Sequence, residues 1–352
     1  MEKLLSIIIP TYNMSLYIER CMNSLISSKT IEKLDIIVVN DGSKDDSSEK
    51  AKNIAISYPN SIRVIDKENG NYGSCINTGL KLAKGKYIKI LDADDLFDTH
   101  NLENVLDIIK ELDVDMILTD FKMAYSNGKS KLISFNVEPN QVLTFTAVCT
   151  SKDFTHLWMH SVMYKTSIVQ NINYHQTEGI SYTDQEWIFT PLAYVRNIFY
   201  IHKVLYLYSL GRVGQTVSTD YLTHNFHHHV ICVKNIIKCF CDLPTDIPNP
   251  ITQLLYTRIF NLTKFIYKGY LLKKYPDEDN VLRDFDSYLK VNLPKLYANL
   301  KNIKLSKPII PYHYIRHWQK KTNSKVLYYM IKLYILTLLS RLEIIGPEKA
   351  RI

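Results

Sequence analysis

The chain has 352 residues, a length typical of about two domains. Of these residues 46% are hydrophobic, enough for a sizeable core, and 22% are charged, too few for a disordered polyelectrolyte. With 11 glycines and 12 prolines, it is neither a collagen nor a low-complexity chain. The six cysteines include no C-x-x-C pair, which favours reduced thiols over disulfides. The first apolar run is short and ends at Pro10, unlike a signal peptide, so we expect a cytoplasmic protein.

The positive charge is concentrated at the C-terminus. Residues 301–352 contain 11 Lys and Arg against two Glu, a net charge of +9, whereas the preceding residues carry 32 basic and 33 acidic groups, a net charge of −1. Within this tail the apolar stretch Leu327–Leu339 is shorter than the roughly 20 residues of a membrane span. We expect the tail to bind an anionic membrane surface, peripherally on the inner face of the cell membrane. Packing of the stretch on the helical region remains the alternative, and no nucleic acid partner is expected.

The first 120 residues alternate short apolar runs with amphipathic segments. Strands are predicted over 4–9, 35–40, 62–65, 87–91 and 116–119. Helices are predicted between them, the first capped by Ser15 with Leu16 on its apolar face. This alternation predicts an α/β fold, a mostly parallel sheet flanked by helices.

The pattern changes twice further along the chain. Residues 121–215 are irregular, with strand-like runs around a helix predicted over 184–195, and three helical segments are predicted at 222–241, 250–274 and 278–299. We therefore expect one domain over 1–218, composed of the halves 1–120 and 121–218, and a helical C-terminal region over 219–352.

Polar residues follow three of the predicted strands, where ligands bind to open parallel sheets. They are Pro10-Thr11-Tyr12-Asn13, Asn40-Asp41-Gly42-Ser43 and Asp92-Ala93-Asp94-Asp95. The three carboxylates of the last group repel one another, and a metal or backbone donors usually offset that repulsion. Hard oxygen ligands suit Mg²⁺ or Mn²⁺, and a capped turn is the alternative.

Other nucleotide and metal sites are less well supported. The chain contains no G-x-x-x-x-G-K-[ST] motif, and no G-x-G-x-x-G follows the first strand, which excludes a P-loop and a dinucleotide site of the Rossmann type. His224 and His227–His229 are interpreted as a polar helix face rather than a zinc site.

Three segments, SIIIPTYN, IIVVNDGSKDDS and GLKLAKGKYIKILDADD, resemble in order and spacing the nucleotide-binding half of family 2 glycosyltransferases with the GT-A fold. ISYTDQEWIFTPLAY is similar to the segment with the family's general base, and VLYLYSLGRVGQTVS to the strand and loop over the donor phosphates. The resemblance implies a GT-A-like fold and an inverting, metal-dependent enzyme. It would move a hexosyl or N-acetylhexosaminyl group from a nucleotide-sugar, UDP-linked, to a hydroxyl of a cell-surface glycan or lipid-linked acceptor.

The resemblance also implies residue roles. Asp184 would be the catalytic base, with Glu186 in support, and Asp94 would bind Mn²⁺ or Mg²⁺ beside Asp92 and Asp95. The nucleotide-sugar site would comprise Pro10, Thr11, Tyr12, Asn13, Asp41, Asn71, Asn77, Asp92, Ala93, Arg212, Gln215 and Thr216.

Within this set Tyr12 would pack on the nucleobase and Asp41 would accept a hydrogen bond from the uracil N3–H. Residues 121–180, including Trp158, His160 and Tyr164, are expected to shape the acceptor site.

Two positions depart from the family pattern. The A-R-N-x-G helix has Ile76 in place of Arg, and the Glu-Asp pair reads Thr183-Asp184. These departures leave a second hypothesis, a catalytically silent sugar-nucleotide-binding or scaffold subunit of a membrane glycan assembly. Hydrolysis of UDP-sugars with Mn²⁺ would distinguish the two.

Overall fold

Short apolar runs form the centre of one extended sheet. The computed structural model describes residues 2–27, 29–212, 215–216, 218–273, 275–277, 280–304 and 313–320. The strands among them are β1 (Leu5–Thr11), β2 (Leu34–Asn40), β3 (Ile62–Asp66), β4 (Tyr87–Ile90), β5 (Leu96–Phe97), β6 (Met116–Tyr125), β7 (Ser130–Ile133), β8 (Val142–Thr144), β9 (Val162–Lys165) and β10 (Asn197–Leu210). Their order is β3-β2-β1-β4-β9-β6-β10-β5, with β7 paired to β6 and β8 to β10.

The pairing divides the sheet into a parallel half and a mixed half. β1 runs parallel to β2 and β4, and β2 runs parallel to β3. Beyond β4, β9 is antiparallel to both β4 and β6, whereas β10 is parallel to β6. Thr11 pairs with Asn40, so the polar segments after β1 and β2 begin at the same edge. The predicted parallel character thus applies to the first half, and the second half adds antiparallel pairs.

Helices cover the sheet. They are α1 (Ile18–Asn23), α2 (Ser47–Ile56), α3 (Asn71–Leu82), α4 (Thr99–Glu111), α5 (Phe145–Val148), α6 (Lys152–Thr155), α7 (Thr166–Asn171), α8 (Asp184–Trp187), α9 (Thr219–Asn225), α10 (His227–Cys241), α11 (Asn249–Lys268), α12 (Val281–Asn292), α13 (Pro294–Leu300) and α14 (Tyr314–Gln319). Every residue of β2 is buried, as expected for a strand with both faces covered. α4 buries Leu102, Leu106 and Ile109 against the core, which is the helical spacing of an apolar stripe.

Two local predictions were wrong. The first helix begins at Ile18 instead of at Ser15, after a turn in which the N–H groups of Tyr17 and Ile18 donate to the Met14 carbonyl. Leu16, which was expected on the apolar face, is 84% exposed. The helix predicted over 184–195 is only α8, followed by a 3₁₀ turn at Pro191–Tyr194. Pro191 has no N–H to donate to the Trp187 carbonyl, which accepts from the Tyr164 hydroxyl instead, so the α-helical hydrogen bonding is interrupted.

Contacts divide the chain into two units, Met1–Leu262 and Thr263–Ile352. The predicted domain boundary at residue 218 stays a prediction; it lies within the first unit, and α9 begins directly after it. In the second unit, Asp286 of α12 accepts hydrogen bonds from Tyr267, Tyr297 and Gln319, which holds α14 in place.

The C-terminal apolar stretch predicted for membrane binding, Leu327–Leu339, lies outside the described residues. None of the helices in the described part of the chain combines the length and hydropathy of a membrane-spanning segment.

The turn before β4 is a testable packing constraint. A Cβ on Gly85 would lie 2.3 Å from the backbone nitrogen of Ser6, and backbone atoms cannot move aside as a flexible side chain can. We expect Gly85→Ala to lower the free energy of unfolding by about 1–3 kcal/mol. Denaturant unfolding measures it. The neighbouring Lys84→Ala is the control, because this exposed side chain should change stability by less than about 0.5 kcal/mol. Equal stability of the two variants would contradict the packing argument.

Candidate active site

The segments after β1 and β2 are tied to each other. The Asp41 N–H donates to the Thr11 carbonyl at 2.8 Å, and the Lys44 N–H donates to Asn13 Oδ1 at 2.8 Å. Thr11 is buried and Pro10 partly buried, whereas Tyr12 is 46% exposed. The structure therefore places an accessible aromatic ring at the sheet edge, beside the predicted base-recognising carboxylate.

Asp41 is buried and held in one orientation. Its Oδ1 accepts from Lys67 Nζ and from the Gly70 N–H, both at 2.9 Å, while Asn69 Nδ2 donates to its carbonyl at 2.9 Å. Among the described residues no donor reaches Oδ2 of Asp41. That oxygen is available to a ligand N–H.

Helix α3 connects the sheet edge to the segment 175–178. Asn71 begins the helix with a positive φ of 65° and is partly buried. Asn77 is buried, and its side-chain amide exchanges hydrogen bonds with the backbone of Gln176 and donates to Glu178 at 2.8 Å. Asn77 therefore anchors the segment 175–178, and its role in the nucleotide-sugar site stays a prediction. Ile76, at the family's Arg position, is fully buried.

The acidic cluster after β4 is enclosed by hydrogen-bond donors. Tyr72 donates from its hydroxyl to Asp92 at 2.9 Å, while Asp95 accepts from the Tyr206 hydroxyl and the Ser209 N–H, each at 2.7 Å. Burial, reinforced by the charge of the neighbouring Asp94, raises the pKa of Asp92 to about 7. Burial and the adjacent carboxylates also raise the pKa of Asp95 well above its usual range. Ionisation of this cluster is costly without a cation.

Asp94 faces basic and amide donors instead. Its carboxylate accepts from Arg212 Nε at 2.5 Å and from Gln215 Nε2 at 3.3 Å, and its carbonyl accepts from Arg20 at 3.0 Å. A cavity of about 230 Å³ opens here, with Tyr17, Arg20, Asp94, Tyr125, Ser209 and Arg212 among its lining residues. Two arginines beside a cavity can bind phosphate oxygens.

The remaining predicted contacts are distributed around the cluster. Ala93 is buried between the two aspartates. Gln215 donates to the Ser209 carbonyl at 2.7 Å, and Thr216 accepts from the Tyr182 hydroxyl at 3.0 Å through its backbone oxygen. The structure thus connects Gln215 directly to Asp94, whereas Thr216 bonds to the segment that precedes α8.

Asp184 is the first residue of α8 and is partly buried. Burial raises the pKa of its carboxyl group to about 6, against an opposing hydrogen bond from Gln185 and the charge of the buried Arg258. Burial raises the pKa of Tyr72 well above its usual range, and the negative charges of Asp92 and Asp184 both add to that rise, so the two carboxylates share one electrostatic environment.

Glu186 is an anchor for the neighbouring segment. Its two carboxylate oxygens accept from the backbone N–H and the hydroxyl of Thr177, at 2.7 and 2.6 Å. Glu186 therefore holds the segment before α8 in place, and the division of roles between Asp184 and Glu186 stays a prediction.

His160 lies beside the acidic cluster. The sequence motifs predicted it only for the acceptor site and not as a possible metal ligand. One atom each of Asp92, Asp95 and His160 lie within 4.8 Å of one another. The buried ring nitrogens of His160 have no hydrogen-bond partner among the described residues. Two carboxylates and an unpaired imidazole are a donor set that fits a divalent cation. His160 is 68 residues from Asp92 in sequence, and no spacing rule joins them.

The other residues expected at the acceptor site are divided. Trp158 is 41% exposed and contacts Phe121 and His160, whereas Tyr164 is fully buried and donates to the Trp187 carbonyl.

His227 and His228 lie together on α10, and the ring of His229 stacks on Tyr182.

Three comparisons place the chain among known proteins. A profile of glycosyl transferase family 2 matches residues 6–172. The uncharacterized glycosyltransferase YibD of Escherichia coli (strain K12) is 30% identical over 245 residues, covering 66% of this chain and 70% of YibD. The minor teichoic acid biosynthesis protein GgaB of Bacillus subtilis (strain 168) is 27% identical over 249 residues, covering 69% of this chain. That match spans only 27% of GgaB, so this chain corresponds to about a quarter of its length.

Among solved structures, S. aureus TarS 1–349 in complex with UDP-GlcNAc is similar with a TM-score of 0.65 and 22% identity, covering 83% of this chain and 82% of that one. This similarity confirms the predicted GT-A-like α/β fold with a helical C-terminal region. The sequence relationship to YibD, together with the family profile, shows that this chain belongs to glycosyltransferase family 2.

Proposed function

We propose that the chain is an inverting, metal-dependent glycosyltransferase that moves a hexosyl or N-acetylhexosaminyl group from a UDP-sugar to an acceptor hydroxyl. One observation carries the proposal. The partly buried carboxyl of Asp184, with its pKa raised to about 6, lies in the same electrostatic environment as Asp92 of the acidic cluster. A general base next to a site for a charged leaving group is what glycosyl transfer requires.

The donor would bind along the edge formed by the ends of β1, β2 and β4. The exposed ring of Tyr12 provides a surface for the base, and the open oxygen of Asp41 can accept the uracil N3–H. The cavity beside Asp94, with Arg20 and Arg212, has the charge to contact the diphosphate. The UDP-GlcNAc complex of TarS, which has the same fold, supports a UDP-sugar donor.

The cation, Mn²⁺ or Mg²⁺, would be held by carboxylates of Asp92, Asp94 and Asp95. When bound, it would neutralise charge on the departing diphosphate. Asp184 would take the proton of the acceptor hydroxyl as that oxygen bonds to the anomeric carbon and the bond to the diphosphate breaks. A single displacement of this kind inverts the configuration of the sugar.

The acceptor would be a hydroxyl of a cell-surface glycan or a lipid-linked precursor. The relationship to GgaB, which is named for minor teichoic acid biosynthesis, supports this class. The basic tail adds a second argument, since a membrane-bound acceptor would be met by a protein attached to the inner face of the cell membrane.

Replacement of the base separates chemistry from binding. We expect Asp184→Asn to retain UDP affinity, while UDP-sugar turnover falls by about two to four orders of magnitude, the usual contribution of a general base. In the wild-type protein kcat/KM should rise with pH through about 6, because only the ionised carboxylate accepts a proton. Isothermal calorimetry with UDP and a coupled UDP-release assay measure the two properties. Asp107→Asn, on the exposed side of α4, is the control.

Near-wild-type turnover in Asp184→Asn would place the base elsewhere. Tight UDP binding without any turnover by the wild-type protein, across a panel of UDP-sugars with Mn²⁺, would favour the catalytically silent subunit.

Asp94 tests the metal-dependent part of donor binding. We expect Asp94→Ala to lower UDP affinity in Mn²⁺ to the value measured without the cation, because the substitution removes a cluster charge and a partner of Arg212. The fold should persist, since Asp94 lies beyond the end of β4 and not within the apolar core. Calorimetry with and without Mn²⁺ measures the effect. Unchanged affinity would contradict a role for Asp94 in cation-dependent binding.

The tail tests membrane attachment. Because residues 301–352 carry a net charge of +9, the full chain should co-sediment with vesicles containing anionic lipid, and less so as salt is raised. A chain truncated after Ser306 should lose this binding. Neutral vesicles are the control. Equal sedimentation of the two chains would exclude attachment by the tail, and an unfolded truncation, judged by circular dichroism, would favour packing on the helical region.

A further inference from the structure

His160 lies in an aromatic enclosure without a polar partner. It is 6% exposed, and its ring stacks on Tyr208 at 4.2 Å and on Phe121 at 5.1 Å between centroids. The edge of Tyr206 closes a third side at 4.7 Å. Both ring nitrogens are buried and have no hydrogen-bond partner among the described residues. Buried polar atoms without a partner are rare in proteins, so this ring needs an explanation.

The backbone that carries His160 is fixed by a buried lysine. Lys89 of β4 is fully buried, and its ammonium donates to the carbonyls of His160 at 2.7 Å and Val162 at 3.2 Å. A neutral imidazole has one nitrogen lone pair, which is the group that binds metals, and neither ring nitrogen of His160 is engaged by another described residue.

The ring of His160 also lies close to the acidic cluster. Ligand atoms of His160, Asp92 and Asp95 all lie within 4.8 Å of one another. Ligands on opposite sides of one cation, at about 2.1–2.2 Å each, are separated by about 4.3 Å. A contraction of roughly half an ångström would therefore bring all three onto a single ion.

The carboxylate of Asp95 is held in one orientation by two hydrogen bonds. Its hydrogen bonds from Tyr206 and Ser209 fix the carboxylate but leave lone pairs unused, since a carboxylate has about four acceptor positions. Asp94, in contrast, is paired with Arg212 and Gln215. The donor set nearest to completion is therefore two oxygens and one nitrogen.

We propose that His160 is a nitrogen ligand of the divalent cation held by the aspartate cluster, with Asp92 and Asp95 as the ligands nearest to it, and that it selects Mn²⁺ over Mg²⁺. The inference rests on the metal dependence in the proposed function. Mg²⁺ binds oxygen ligands and gives up its water reluctantly, whereas imidazole suits transition metals. An all-oxygen aspartate site would not distinguish the two ions in this way.

Electron spin echo envelope modulation of the full chain with Mn²⁺, without UDP and in nitrogen-free buffer, tests the assignment directly. We expect ¹⁴N modulation from a coordinated imidazole in the wild-type protein and its loss in His160→Phe, a ring that preserves the stacking with Tyr208 and Phe121. The Kd for Mn²⁺ should rise at least tenfold in this variant, and the Kd for Mg²⁺ less than threefold. His202→Gln, whose side chain is 60% exposed, is the control and should behave as wild type.

Absence of ¹⁴N modulation in the wild-type protein, or its persistence in His160→Phe, would overturn the assignment. If His160→Phe does not fold by circular dichroism, His160→Asn provides the same comparison, because the amide cannot give imidazole couplings. Mn²⁺-dependent turnover without nitrogen coupling would reject the histidine ligand and leave the proposed function standing. Cation-independent turnover with no Mn²⁺ binding would reject both the histidine ligand and the metal dependence in the proposed function.

Discussion

Three carboxylates at the buried end of β4 repel one another, and much of the surrounding structure counters that repulsion. The cost is visible in the elevated pKa values of Asp92 and Asp95. Hydroxyl donors come from Tyr72 and Tyr206, on α3 and β10, and basic donors come from Arg20 and Arg212. Elements that are distant in sequence therefore meet at this cluster because each supplies part of its neutralisation.

The parallel half of the sheet determines where this cluster can form. β1, β2 and β4 end at one edge, so the Tyr12 segment, Asp41 and the acidic cluster face the same solvent region. Antiparallel strands then extend the sheet, and β10 brings Ser209 to Asp95. The parallel strands thus carry the Tyr12 segment, Asp41 and the acidic cluster, and β10 of the mixed half supplies hydrogen-bond donors to that cluster.

The sequence predicted the parts of this arrangement that depend on local pattern. Continuous apolar runs predicted β1, β2 and β4 within one or two residues, and the motifs at their ends predicted the acidic cluster. His160 could not be predicted as a cluster member, because its position depends on the antiparallel pairing of β9 with β4. Likewise, nothing near Lys89 indicates a buried ammonium, since its partners, two carbonyls, belong to a segment more than 70 residues away.

Asn77 shows how one polar residue can connect segments that are distant in sequence. Its amide holds the backbone of Gln176, the next residue Thr177 bonds to both oxygens of Glu186, and Glu186 lies two residues beyond Asp184. Gly73 permits the approach, because a Cβ there would lie 2.0 Å from the Thr177 carbonyl. Helix α3 is therefore connected by hydrogen bonds to the segment that carries Asp184. Ile76 of the same helix is fully buried, so at this position α3 contributes packing, while Asn77 contributes the polar connection.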